Sequence, residues 1–282
     1  MPNRIRQLRL LDRSLTPNEA EVWVFVEAET PSPTTEVRGR LMGPSCPYAS
    51  TVEVAYPLRP FPKWPEGFSP LTRRVIIPEP SLWDTVSPHL YQGMVELWED
   101  GQLCERVSVR HGLRSIQMDA FGLRWNGQPM RLHVVEWDKP TTEGLAELRS
   151  TGVNAIVVPA TAKEVWAEAE RIGLLILART KEPDVNLVQP SPACLGWVAP
   201  GFALKGWVKW KEWSAAVQKV RQLVGAEIAD YLPNWKLPTE LQLVIGPDTL
   251  PPLPHRPRLM RSHFEQAAAD AELGWLDESQ SL

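Results

Sequence analysis

The sequence predicts two fold classes in succession: an immunoglobulin-like β-sandwich over residues 1–118, then a parallel α/β domain over residues 119–282. Two patterns carry the prediction. Short alternating segments separated by turn residues fill the first part. Continuous apolar segments alternating with helical patterns fill the second, and the rhythm changes after residue 130.

The sandwich is read first. In "EVWVFVEAE" (21–29) Val22, Val24 and Val26 fall on one side and Trp23 and Phe25 on the other, the period of a half-buried strand. "EVRGRLMG", "STVEVAYPL", "TRRVIIP", "LYQGMVELWED" and "LCERVSVRHGLRSIQ" follow at short intervals. Asp100-Gly101 supplies residues that tolerate positive φ, as a two-residue hairpin needs. Several short strands with regular turns indicate a sandwich. Cys46, Cys104 and Cys194 are distant and odd in number, so no disulfide framework or metal spacing is expected.

The second part opens with a hairpin on Asn126-Gly127, led in by Leu123 and Trp125 and led out by Met130 and Leu132. "MRLHVVE", "VNAIVVP", "LLILA", "CLGWVA" and "LQLVI" read as five buried strands. "TTEGLAELRSTG" reads as a helix capped by Thr141 or Thr142 and stopped at Gly152. "TAKEVWAEAERIG" places Val165, Trp166, Ala169 and Ile172 on one helical face. "WKEWSAAVQKVRQLVGAEIADYL" and "RLMRSHFEQAAADAEL" are expected as helices. This alternation argues for a parallel α/β layer.

Composition narrows the function classes. The 282 residues carry a net charge of -4, which favours neither nucleic acid nor an anionic membrane surface as partner. The 28 prolines cluster in stretches such as "PLRPFPKWPEGFSP", which implies rigid loops. The 13 tryptophans suit core packing and also stacking on sugar rings. The five histidines are scattered, so no metal and no cofactor are expected; His111 and His133 read as structural. The basic N-terminus lacks an apolar core of signal-peptide length, and no stretch is apolar enough to span a bilayer, so a cytoplasmic location is expected.

Several motifs together resemble family 2 glycoside hydrolases, the β-galactosidase, β-glucuronidase and β-mannosidase group. Leu82, Trp83, Pro88, Leu90 and Tyr91 fit the family's "LW…P.LY" strand pair. Gly112 and Arg114 fit its "FG.R" segment, and Asn126, Gly127 and Pro129 its "NG.P" hairpin. "QPSPACLGWV", with Pro192 and Trp197, resembles its strand-4 entry. The likeness runs from about residue 20 to about residue 200. It implies that the hairpin plugs the bottom of a (β/α)8 barrel and starts its first strand. The chemistry would then lie at the C-terminal ends of the strands.

The departures from that pattern fall on chemistry. A retaining glycosidase needs two carboxyl groups roughly 5 Å apart, one as acid and one as nucleophile. In the family the acid follows strand 4, where this chain has Pro200 and Gly201, and the nucleophile comes from strand 7. Val157 stands where the family has a strand-2 arginine. Arg179 and Thr180 stand where it has a sugar-contacting acid after strand 3. The family's N-terminal sugar-binding sandwich has no counterpart. A full barrel takes roughly 250 residues. With 155 residues from Gln128 onward, a truncated TIM-barrel-like domain of about five strands is expected, with strand 7 absent. Open edges would then call for a homodimer or a protein partner to cover them.

The expected function is therefore a non-catalytic relative of these hydrolases acting as a carbohydrate-binding or interaction module. The alternatives are a divergent O-glycosyl hydrolase with relocated carboxylates, or a structural protein-binding scaffold. The candidate catalytic residues are Glu136, Asp138 and Glu182; the candidate ligand-binding residues are Trp137, Trp197, Trp207 and Asp184. Glu136 and Asp138 follow the first barrel strand, and Glu182 and Asp184 the third, on the presumed chemical face. Against them stands the plainer reading of solvated loop starts. Trp210 and Trp213, three apart, share one helical face and also suit a core.

Overall fold

The structure is a computed structural model that describes residues 3–62, 68–119, 122–180, 191–199, 214–215, 217–218, 222–227, 241–247, 258–262 and 274–277. The chain divides into two compact units, Met1–Arg114 and Ser115–Leu282. The division falls after Arg114 rather than after residue 118 because the next strand pairs within the second unit.

The first unit holds seven strands: β1 (Ile5–Leu15), β2 (Glu19–Ala28), β3 (Glu36–Ser45), β4 (Val54–Pro57), β5 (Arg73–Pro78), β6 (Leu90–Glu99) and β7 (Gln102–His111). They form one sheet of order β1-β2-β5 and another of order β4-β3-β6-β7, all antiparallel. The alternation read in β2 is realised: Val22, Val24 and Val26 are buried and join Val75, Ile77, Leu41, Val95 and Leu97 in one core. Asp100 and Gly101, with φ of 50° and 76°, make the tight turn between β6 and β7. β1 was not anticipated. Bulges beside Ile5/Gln7 and Asp12/Ser14 break its period of two, and Arg4, Arg6, Arg9 and Arg13 mask its apolar face.

Buried polar groups join the layers of this unit. Asp12 of β1 meets His111 of β7 at 2.6 Å, both largely buried. The Arg73 guanidinium donates to the carbonyls of Val37, Pro70 and Thr72, and burial lowers its pKa. The resemblance motif also has a packing reason. Trp83 is fully buried and pairs with Pro88 as an isolated bridge, and the Tyr91 hydroxyl accepts from the Ser81 amide at 3.0 Å. Burial pushes the Tyr91 phenol up in pKa.

The second unit starts with an antiparallel sheet of β8 (Ile116–Asp119), β9 (Gly122–Trp125) and β10 (Gln128–Met130). Asn126 and Gly127 have φ of 50° and 79°, the two positive values that a tight hairpin turn needs. β10 runs directly into β11 (Leu132–Glu136), so the hairpin stands at the N-terminal end of the first barrel strand. Next come α1 (Thr142–Ser150), β12 (Ala155–Pro159), a 3-10 turn (Lys163–Val165), α2 (Trp166–Ile172), β13 (Leu175–Arg179) and β14 (Cys194–Ala199). Gly173, at φ 77°, ends α2. The last strands are β15 (Leu223–Glu227), β16 (Leu243–Pro247), β17 (Arg258–Ser262) and β18 (Gly274–Asp277).

These eight strands, all parallel, close into a barrel of order β11 to β18, with β11 hydrogen-bonded to β18. The expectation of about five strands with strand 7 absent is corrected here. Five strands were legible: β11, β12, β13, β14 and β16. β15 lies inside the segment expected as one helix over 210–232, and β17 inside the one expected over 258–273; β18 had not been read at all. Ala, Leu and Glu favour helices locally, and pairing on both sides within a parallel sheet overrides that preference. The barrel fits a short sequence because several connections are brief: residues 248–257 join β16 to β17, and residues 263–273 join β17 to β18. A closed barrel has no open sheet edge, so the reason for expecting a partner across an open barrel falls away.

Gly196 shows how tightly two of these strands approach. A Cβ there would lie 2.6 Å from the Leu223 carbonyl oxygen and 2.9 Å from its Cβ. Gly196→Ala should therefore destabilise the protein by about 1–3 kcal/mol in urea unfolding. Wild-type stability in that variant would argue against the β14–β15 pairing.

Candidate functional site

In a parallel barrel the chemistry collects where the strands end, because every strand points the same way and the following loops converge on one rim. The C-terminal residues of the eight strands, in order, are Glu136, Pro159, Arg179, Ala199, Glu227, Pro247, Ser262 and Asp277. Pairing fixes their levels: Pro159 lies opposite Arg179, Arg179 opposite Val198, and Ser262 opposite Asp277. Carboxylates thus end strands 1, 5 and 8. β14, the fourth strand, reads Cys-Leu-Gly-Trp-Val-Ala, and β17, the seventh, reads Arg-Leu-Met-Arg-Ser; neither contains Asp or Glu. Glu227 and Asp277 were missed from sequence because their strands were read as helix or not read.

The best-defined part of the rim joins strands 1 and 3. Arg179 forms an ion pair with Glu136 through Nη1 and with Asp138 through Nη2. β12 lies between the two strands, so this contact spans a neighbour and ties the end of β11 to the end of β13. Arg179 is 18% exposed and Glu136 24%, while Asp138 is 69% exposed. The two candidate acids are therefore turned toward one guanidinium. An acid catalyst must present a proton to a leaving oxygen, and a nucleophile must face the anomeric carbon. As placed, each carboxylate faces Arg179. The sequence had shown Arg179 only as a substitute for a sugar-contacting acid. Its pairing links positions more than 40 residues apart and left no local signal.

Two of the candidate tryptophans, Trp137 and Trp197, are packed. Trp137 is buried against α1, and a Cβ on Gly144 would lie 2.5 Å from the Trp137 ring, so the indole rests directly on the helix backbone. Trp197 is fully buried; its Nε1 donates to Gln222 at 2.7 Å, and its ring lies 6.0 Å from that of Trp166. A buried Glu170 of α2 accepts from the Ser191 hydroxyl at 2.7 Å, which anchors the start of the segment leading into β14. Glu182, Asp184, Pro200, Gly201, Trp207, Trp210 and Trp213 lie outside the described residues. Among the described residues no group of three His, Cys, Asp or Glu side chains could hold a metal ion, and no helix is long and apolar enough to cross a membrane.

A sandwich leading into a closed parallel barrel through an Asn-Gly hairpin can now be set beside known proteins. Residues 8–114 match the model of the glycosyl hydrolases family 2. No curated protein matches the chain. Among solved structures, a glycosyl hydrolase family 2 member from Bacteroides cellulosilyticus aligns with a TM-score of 0.71 at 15% identity, over 98% of this chain and 46% of that one. A beta-glycosidase from Bacteroides vulgatus aligns with a TM-score of 0.66 at 13% identity, over 87% of this chain and 35% of that one. A β-glucuronidase from Ruminococcus gnavus aligns with a TM-score of 0.65 at 14% identity, over 87% of this chain and 47% of that one. The chain spans half or less of the length of these structures, and at such identities the likeness is one of fold.

The two ion pairs should differ in strength. Half-shielded pairs hold their Coulomb attraction better than exposed ones, which water and salt screen. A double-mutant cycle of Glu136→Gln with Arg179→Met should give a coupling of about 1 kcal/mol, and the cycle with Asp138→Asn a smaller one, below about 0.5 kcal/mol. Equal couplings, or none for Glu136, would contradict the rim described here.

Proposed function

We propose that this protein is a non-catalytic relative of the family 2 glycosidases that binds carbohydrate rather than hydrolysing it. One observation carries the reading: Pro200 and Gly201 follow strand 4 where the family it resembles has its acid, and strand 7, which supplies the nucleophile there, carries no Asp or Glu. Loss of both groups removes acid catalysis and covalent catalysis together, each worth orders of magnitude in rate. Arg179 adds to this, since it occupies the two acids that could have taken over at strand 1. The scaffold is kept while its chemistry is replaced, and what such a scaffold still offers is a shaped surface for a sugar.

A panel of 4-nitrophenyl glycosides, with gluco, galacto, manno and glucurono configurations, tests the proposal. Release of nitrophenolate should not exceed the rate without protein for any of them. Turnover of one substrate that disappears in Glu136→Gln, Glu227→Gln or Asp277→Asn would overturn the proposal in favour of a hydrolase with relocated carboxylates.

A further inference from the structure

The sheet β1-β2-β5 has an unusual outer face. A sandwich sheet buries one face in the core and turns the other to water, where polar residues are expected. Pairing gives the outward residues here. Trp23 lies between Leu11 and Arg74, and Phe25 lies opposite Arg9. Phe61 and Phe68, from the segment between β4 and β5, stand edge-on to Trp23 at 4.9 and 5.1 Å, and Phe68 lies 5.6 Å from Phe25. Trp23, Phe25 and Phe61 are only partly buried and Phe68 is 40% exposed. The result is an aromatic surface four rings wide on the solvent side of the sandwich.

Arginines surround it. Arg13 stacks over Trp23 at 5.4 Å and Arg74 over Phe61 at 6.0 Å; Arg59 bridges to Arg74, and Arg9 is exposed beside Phe25. The acids among these rows are Glu19, Glu21 and Glu27. Glu21 is engaged by the Trp23 indole N–H at 3.0 Å and by Arg74 at 3.9 Å. Four arginines against three glutamates, one of them engaged by Arg74 and Trp23, leave this face positive around the rings in a chain whose net charge is -4. A guanidinium presents N–H donors in a planar fork that fits a carboxylate or sulfate.

We infer that this face binds an acidic polysaccharide, a glycan chain bearing carboxylates or sulfates, with sugar rings on the aromatic side chains and the anions on Arg9, Arg13 and Arg59. The flat, partly apolar face of a pyranose matches exposed rings, and the anionic substituents match the arginines; a neutral glycan would use only half of the surface. The inference narrows the carbohydrate reading above to a ligand class, and it places that ligand on the sandwich rather than at the barrel rim.

Native gel retardation of the full chain in gels containing polygalacturonate, chondroitin sulfate, neutral dextran or poly-glutamate tests it. At least one acidic polysaccharide should retard the protein, increasingly less as salt rises, while dextran should not. Arg9→Ser/Arg13→Ser, two exposed changes, should weaken retardation at least tenfold with an unchanged melting temperature, and Phe68→Ser should weaken it also. Arg179→Met at the barrel rim should leave it intact. No retardation by either acidic polysaccharide, undiminished retardation of the arginine variant, or equal retardation by poly-glutamate, which would indicate an acidic peptide, would each overturn the inference. Loss in Arg179→Met alone would move the site to the barrel. Glycoside turnover, measured separately, bears on the non-catalytic reading and not on this face.

Discussion

Everything that can be said about the second unit depends on the pairing of β11 with β18. Leu132, His133, Val134 and Val135 lie opposite Gly274, Trp275, Leu276 and Asp277, and this ladder turns eight short parallel strands into a ring. Without it, β11 and β18 would each present unpaired N–H and C=O groups to water. With it, the ends of all eight strands face one rim, and the identity of the residue at each strand end acquires chemical meaning. A missing carboxylate at strand 4 or strand 7 is informative only because those strands occupy defined positions around a closed barrel.

Among the described side chains of the rim, the acids of strand 1 are paired within the protein. In a hydrolase of this architecture, carboxylates at the strand ends stand open to substrate. Here one guanidinium, contributed by strand 3, meets the acids that follow strand 1. The same contact joins two strand ends across β12. The indoles near the rim behave in the same way. Trp137 lies on α1 and Trp197 on Trp166 and Gln222, each held by its surroundings.

Much of this was legible in the residues. The sandwich followed from the alternation of Val22, Val24 and Val26 and from the Asp-Gly turn, and the hairpin of the second unit from its Asn-Gly turn, all local features. Five of the barrel strands followed from short apolar runs such as "AIVVP" and "LLILA". β1 was hidden by its bulges and arginines. β15 and β17 were hidden because Leu, Ala, Glu and Arg near them favour helix in isolation and become strand only through neighbours on both sides. The Arg179 contact was hidden for a related reason: nothing near residue 179 reveals that residues 136 and 138 stand beside it. Local pattern reaches secondary structure, and long-range closure decides the site.

Mass spectrometry of the intact protein after incubation with 2-deoxy-2-fluoroglycosyl fluorides of gluco, galacto and manno configuration tests the central claim most directly. These reagents accumulate the covalent glycosyl-enzyme of a retaining glycosidase, and they need a carboxylate poised at the anomeric carbon. An unmodified mass is expected with every reagent. A gain of one fluoroglycosyl group, mapped by proteolysis to Glu136, Glu227, Asp277 or another carboxylate, would contradict it and make the barrel an active glycosidase.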